Sequence, residues 1–469
     1  MTLSRMVILS LVSIVLLLAA CENVTGPDDL DDPEPSPDPS EEIEMWIGLG
    51  GELGERIQEM VDDFNESHDG PDITLETRGD YADVIDSLIE AYEEDEPLPH
   101  IAQIYEVGTG TIMAEPGLIY PVHELMEDMG KPFDTDDILE QIAAYYADAD
   151  GNMLSFPFNS STPVLYYNVD AFDDDDPDPD DPPSTWPEIE DAADYLLELE
   201  DHDFTAAITF EWPSWTQLEN FAAWHDLPLA TDANGIESWT AELVFGDHPD
   251  ASQHFQHHWQ TLADWAEDGV LEYGGRGGGG GNRFVNEEVP MYIASSAGYA
   301  GINANASFEF SATMLPYWPD IVDDGPQNSI IGGGSLWVTA GHHETDYEVI
   351  ADFFEYLSDP QVQAEWHQFS GYLPVTESAR EISETDGFYD DNPVHKTAIE
   401  QITLNEPTDN SRGIRLGYFP DIRNVILNEL EALFPENNGD SVPTAENALK
   451  DAQEAGNNIL QDFREDFEL

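Results

Sequence analysis

From Ile43 to Val107 the chain alternates between two hydrophobic periods, and this alternation constrains its fold more than any other feature. Ile43 to Leu49 reads as a strand. The segment after it places Ile57, Val61 and Phe64 at i, i+4 and i+7, the stripe of a helix that buries one face. Ile73 to Arg78 predicts a second strand, Val84, Leu88 and Ile89 mark a second helix, and Ile101 to Val107 predicts a third strand. Strands separated by helices join through right-handed crossovers into a parallel sheet, in which ligands bind beyond the carboxyl ends of the strands. Gly48 to Gly51, Gly79-Asp80-Tyr81 and Tyr105-Glu106 occupy such ends. Topology thus offers Tyr81 and Glu106 as crevice residues. The plainer alternative is that Tyr81 only opens its helix and Glu106 is a surface acid.

A second α/β set follows Asn159-Ser160-Ser161-Thr162-Pro163, a polar crossover between apolar runs. Leu165 to Tyr167 and Thr205 to Phe210 read as strands, Trp186 to Glu200 and Trp215 to Trp224 as helices. Pro290 to Ala294 predicts a strand that delivers Ser295-Ser296 into a turn. In Ile330 to Ser335 an apolar run is followed by glycines, which let backbone N–H groups approach a ligand closely. Gly371-Tyr372-Leu373-Pro374 is a tight turn presenting a phenol, and Thr444 to Phe463 is a last amphipathic helix.

Several motifs lead away from catalysis and metals. Trp212, Trp215 and Trp224 fall within thirteen residues, as core or as an exposed stacking platform. His254, His257 and His258 share a helix face but lack the His-Glu-x-x-His pattern, so they read as a polar face. Asp173 to Asp181, all Asp and Pro, lacks the spacing and glycine of an EF-hand and reads as an acidic surface loop. Gly274 to Gly281, seven glycines around Arg276, lacks the ending of a phosphate loop and reads as a flexible insert. No nucleophile motif such as Gly-x-Ser-x-Gly occurs, so no enzyme, cofactor or metal is expected.

Charge narrows the partners. The chain has 100 acidic residues against 13 Lys plus Arg, a formal charge of −87. In dilute buffer such self-repulsion destabilises a compact state. At 1 M ionic strength the screening length falls to about 3 Å, and a carboxylate coat then stays hydrated without unfolding the chain. The composition reads as halophilic, and it excludes nucleic acid and anionic lipid surfaces as partners. Against this background Arg412, Arg415 and Arg423 lie within twelve positions. A guanidinium is a rigid fork matched to carboxylate or phosphate, so the cluster serves either anion capture or pairing with the chain's own acids.

The N-terminus stands apart from the fold. After Arg5, Met6 to Ala20 is an apolar run of signal-peptide length, shorter than a spanning helix needs. It ends at Cys21, the only cysteine, behind Ala19-Ala20, and resembles the bacterial lipoprotein signal in which that cysteine is acylated. Residues 1–20 are therefore expected to be a signal peptide and 21–42 an acidic, Pro-rich tether.

From Trp46 onward the chain resembles the glycerol-3-phosphate and glycerophosphodiester binding proteins of bacterial ABC importers. The resemblance rests on colinear stretches, among them Gln103 to Thr109, Pro157 to Asn168, Gln217 to Phe221, Ala294 to Ser296, Ile330 to Gly333, Ala364 to Gln368, Gly371 to Pro374 and Arg415 to Gly417. It implies an α/β, two-lobed periplasmic-binding-protein-like (type II) fold with segment exchange, residues 43–157 and 297–342 forming one lobe and 158–296 and 343–469 the other. It further implies that Tyr81, Ser161, Ser295, Tyr372 and Arg423, with the backbone of Gly333, surround a phosphate. Glu106 would hold glycerol hydroxyls, and Trp212 and Trp215 would form an aromatic wall. The implied protein is a monomeric, lipid-anchored extracytoplasmic receptor that delivers a small organophosphate to permease subunits. A sugar receptor of the same fold is the alternative, and a secreted phosphodiesterase a more distant one. Where relatives carry His-Ser-Met-Glu this chain has Ile47-Gly48-Leu49-Gly50, which removes polar contacts near the first strand's end.

If the acidic coat is adapted to salt, the melting temperature should rise steadily between about 0.1 M and 1 M salt. A thermal scan that shows no rise would refute the halophilic reading.

Overall fold

A computed structural model of the chain describes residues 38–131, 135–148, 151–172, 178–179, 181–199, 202–322, 325–434 and 442–469. The signal segment, Cys21, most of the tether and most of the Asp173 to Asp181 loop lie outside the described residues. Among the described residues no helix is long and apolar enough to cross a membrane.

In β1 (Glu42–Ile47) the side chains of Ile43, Met45 and Ile47 go to one face and Trp46 to the other, as period-two geometry dictates. Both faces are covered. Helices Gly51–Ser67 and Glu344–Leu357 pack on the first face through Ile57, Val61, Phe64, Ile350 and Phe354. Helix Tyr81–Glu93 packs on the other face through Val84, Ile85 and Leu88. β1 pairs in parallel with β2 (Asp72–Thr77) and β3 (Ile101–Tyr105). The same sheet contains β4 (Ile119–Tyr120), β5 (Phe156–Ser161) and β10 (Gly332–Thr339).

A second sheet runs in the order β7-β8-β6-β9, formed by β6 (Pro163–Asn168), β7 (Ile208–Phe210), β8 (Met291–Ser295) and β9 (Phe310–Thr313). The chain leaves the first sheet at Ser161 and enters the second at Pro163, so Thr162 is the crossing point. It returns between β9 and β10. Gln401 fastens the crossings by donating to Thr162 Oγ1 (3.2 Å), Pro163 O (2.7 Å) and Ser329 Oγ (3.1 Å). All three groups are buried, so each of these bonds resists water.

Four expectations change. The first sheet is mixed, because β10 arrives from the second sheet and runs antiparallel to β3, β4 and β5. Sheet membership also divides the chain differently from the expected lobe boundaries. Phe310–Thr313 pairs with β6 in the second sheet, and helix Glu344–Leu357 buries Tyr347, Ile350 and Phe354 against the first. The glycine-rich stretch is not simply a flexible insert, since Gly279–Val285 is helical and anchored by the buried Phe284. Of the three histidines on helix Ser252–Asp268, His258 is core, bonded to Gln217 and Trp318.

Candidate ligand-binding site

The nine residues expected to meet a ligand, Tyr81, Glu106, Ser161, Trp212, Trp215, Ser295, Gly333, Tyr372 and Arg423, all line one cavity of about 290 Å³. It opens where the two sheets meet. Glu106 follows the end of β3, Ser161 ends β5, Ser295 ends β8, and Gly333 lies at the start of β10. Strand ends supply four of the nine. The volume sits at the low end of small-molecule sites, about 300–1,000 Å³.

Arg423 governs the electrostatics. It projects from helix Phe419–Glu431; Nε donates to Glu219 Oε1 (2.8 Å), and Nη2 donates to Glu219 Oε2 (2.7 Å) and to Glu106 Oε1 (2.7 Å). Among the described residues Nη1 takes no hydrogen bond. Burial would lower the pKa of this guanidinium, but the carboxylates of Glu219 and Glu106 more than reverse that and hold it above its ordinary range. Glu106 is raised by burial first and by the charge of Glu219, with Arg423 pulling the other way. One fixed positive charge thus faces two acids.

The opposite wall supplies neutral donors. Asn159 donates to Tyr81 Oη (2.7 Å), whose oxygen lies 3.5 Å from Tyr372 Oη. Behind it, Gly48 N–H donates to Gln103 Oε1 and Gln103 Nε2 donates to Asn159 Oδ1, each at 2.9 Å. This relay fixes the amide of Asn159 and therefore the phenol of Tyr81. Gly48, in the apolar stretch that replaces the relatives' polar one, contributes through its backbone. Burial pushes both phenols above their ordinary range, so they remain neutral donors.

Backbone constraints set the aromatic wall. Trp212 is 45% exposed and has φ 48°, a left-handed conformation that costs a tryptophan about 1–3 kcal/mol. Trp215 is buried and donates to Ile331 O (3.3 Å), its ring lying where a side chain on Gly332 would stand. Gly333 has φ 100°, and a Cβ there would meet Asn159 O at 1.8 Å, so only glycine fits. The expected helix Trp215 to Trp224 begins as a π-helical turn, Trp215–Glu219, which puts Trp215 on the cavity and Glu219 against Arg423.

The other clustered arginines do not reach the cavity. Arg412 pairs with Asp409 and Glu237 on the surface. Arg415 is buried and donates from Nη2 to the carbonyls of Ala144, Tyr145 and Ala147, which stiffens its loop. Two acids were missed. Glu219 holds Arg423 as a bidentate partner, and its signal was its place in the Gln217 to Phe221 match. Glu211 accepts from Ser295 N–H (3.3 Å) and from Tyr292 O–H, and no composition rule distinguishes it among 100 acids.

A second cluster, His100, His342 and Asp346, lies at the other end of the first sheet and is the one such trio among the described residues. Glu44 N–H donates to His100 Nδ1 (3.0 Å), which puts the ring proton on Nε2, 2.9 Å from Ser40 Oγ. Ser40 Oγ in turn donates to Asp346 (2.9 Å). These bonds fasten Ser40 to the body.

Residues 59–397 match the sequence model for bacterial extracellular solute-binding proteins. A protein of Pectobacterium atrosepticum, named the sn-glycerol-3-phosphate-binding periplasmic protein UgpB, is 39% identical over 90% of this chain and 92% of its own. The protein of that name from Rhizobium meliloti is 37% identical over 89% and 93%. Among solved structures, UgpB from Mycobacterium tuberculosis in complex with glycerophosphocholine superposes with a TM-score of 0.71 at 21% identity, covering 90% of this chain and 98% of that one. Maltose-bound MalE3 of T. maritima superposes at 0.69 and 13% identity, over 89% and 99%. The fold is that of type II periplasmic binding proteins.

Burial raises the pKa of Glu211 from 4.5 to about 7, with its bonds to Tyr292 and Ser295 opposing the rise. A carboxyl raised in the folded state favours folding below its unfolded pKa and loses that contribution as pH climbs through the folded value. Between about pH 4.5 and 7 the wild type should therefore lose about 3 kcal/mol that Glu211→Gln does not lose. Urea unfolding at fixed molar salt checks this, and parallel pH dependences would refute it.

Proposed function

The chain belongs to the bacterial extracellular solute-binding proteins, and on that premise we propose that it is the receptor of an ABC importer for sn-glycerol 3-phosphate and glycerophosphodiesters. One observation carries the ligand class. A buried guanidinium meets hydroxyl, phenol and glycine N–H donors in a single small cavity, a donor set suited to a phosphoryl group. In this reading Arg423 grips the phosphate, assisted by Ser161, Ser295, Tyr81, Tyr372 and the backbone at Gly333. Glu106 accepts from the glycerol hydroxyls, and Trp212 and Trp215 cover the carbon chain. A sugar receptor would stack on the same tryptophans but has no use for Arg423.

Closure follows from where the donors sit. Tyr81, Ser161 and Gly333 belong to the first sheet's side, Ser295, Trp212 and Arg423 to the second's. Ligand held by one set gains contacts from the other only in the closed form, and this differential affinity shifts the population toward closure. The closed receptor then docks on permease subunits, with no covalent step. In this reading Cys21 carries the lipid, the acidic, Pro-rich segment after it is the tether and ends where Ser40 and β1 join the body, and the body works as a monomer, periplasmic or on the outer face of the cell membrane, in a saline medium.

Arg423→Ala should weaken any phosphate ligand by about 2 kcal/mol or more, roughly thirtyfold, in calorimetric titrations. Unchanged affinity would refute the phosphate reading. The site already holds Asp80, Glu106 and Glu219 against one base, so a nearly dianionic monoester is opposed more strongly than a diester whose charge is offset by an ammonium. Glycerol 3-phosphate should accordingly bind no more than about tenfold tighter than glycerophosphocholine, a gap of about 1.4 kcal/mol. A larger preference, measured in molar salt, would overturn this.

A further inference from the structure

A second cavity, about 420 Å³, adjoins the first and shares Gly298 with it. It lies between helices Gly279–Val285 and Gly298–Asn305, with Glu211 and Tyr292 on its inner side and the amides of Asn282, Asn286 and Asn305 around its rim. Glu211 is only 7% exposed. The described hydrogen bonds to its carboxylate come from Tyr292 O–H and Ser295 N–H, and among the described residues it forms no ion pair. The contrast with Glu106 and Glu219, which share Arg423, is direct. A buried carboxylate with no cation is costly, and the cost falls when a positive group reaches it. Access exists on one side: Oε2 accepts from Tyr292 O–H, and a Cβ on Gly278 would stand 3.6 Å from it, so glycine leaves the Gly278 side of that oxygen open for a second donor. The other oxygen holds the N–H of Ser295, a residue of the ligand cavity.

We propose that this groove is a headgroup subsite, in which Glu211 and the amide oxygens of Asn282 and Asn286 take the primary ammonium of a glycerophosphodiester whose phosphate is held at Arg423. The inference rests on the phosphate reading above and adds to it the second alcohol of the ester. The lining selects among ammonium types. Carboxylate and amide oxygens match three N–H donors, whereas a quaternary ammonium has none and favours aromatic faces such as Trp212.

Titration calorimetry in molar salt tests the proposal with glycerophosphoethanolamine, glycerophosphoglycerol as the neutral ester, and ethanolamine alone. The wild type should prefer the ethanolamine ester over the glycerol ester by about tenfold, about 1.4 kcal/mol. Glu211→Gln should erase that preference, the two esters then binding within about twofold of one another. Gly278→Leu, at an exposed position, should shield Oε2 and erase it as well, so the test survives if Glu211→Gln does not fold. No preference in the wild type, or a preference that both variants keep, overturns the subsite. If neither ester binds but ethanolamine binds saturably and Glu211→Gln abolishes it, the subsite stands and the phosphate reading falls. If ethanolamine does not bind either, both fall.

Discussion

One guanidinium between two carboxylates is the constraint on which the site depends. Arg423 comes from a helix packed in the second sheet's core, Glu219 from a π-helical turn on that side, and Glu106 from the end of a first-sheet strand. The ion cluster therefore spans the junction between the sheets. Buried ion pairs are poor sources of net stability, because desolvation cancels much of the attraction, but removing one partner strands the others at a cost of about 3–5 kcal/mol. Such a cluster fixes geometry more than it adds stability. It holds the guanidinium plane while leaving Nη1 without a described partner.

The surrounding backbone serves the same end. Trp212 is held in a left-handed conformation, and Gly333 adopts one that no other residue fits. Strain of this kind persists only where neighbours over-determine it. Here the neighbours are the Asn159 carbonyl against Gly333 and the π-helical turn beyond Trp212. The Gln103–Asn159–Tyr81 relay adds a hydrogen-bonded frame whose members are mostly buried, so the phenol cannot reorient without breaking a bond that water would not replace.

Much of this was legible in the sequence where a period or a tight motif carried the information. β1 to β3 and their helices follow from spacing alone, and the polar Asn159 to Pro163 run marks the crossing between sheets. Periodicity cannot tell which neighbour a strand will choose. It therefore missed that β10 returns antiparallel and that Phe310–Thr313 belongs with β6. Composition hid the rest. In a chain with 100 acids no single carboxylate stands out by composition; Glu219 was marked only by its place in the Gln217 to Phe221 stretch, and Glu211 became recognisable only through burial and partners. The glycine-rich run misled for a related reason: glycine lowers helix propensity, yet the buried Phe284 at the far end of Gly279–Val285 supplies the packing that propensity lacks.

A charge of −87 around an anion site is consistent once distances are considered. At molar salt the screening length is about 3 Å, so the exposed coat contributes little potential inside the cavity, and the energy of a bound phosphate is set by groups in contact with it. Buried pairs are screened far less. Among the cavity's lining residues the acids are Asp80 and Glu106, and Glu106 is bonded to Arg423. Apart from Arg423 itself, the remainder are hydroxyls, phenols, aromatics, alkyl side chains and glycines. Such a protein can carry as many surface carboxylates as hydration in brine requires, provided the few residues at the junction of its sheets keep their own local balance of one base, three acids and neutral donors.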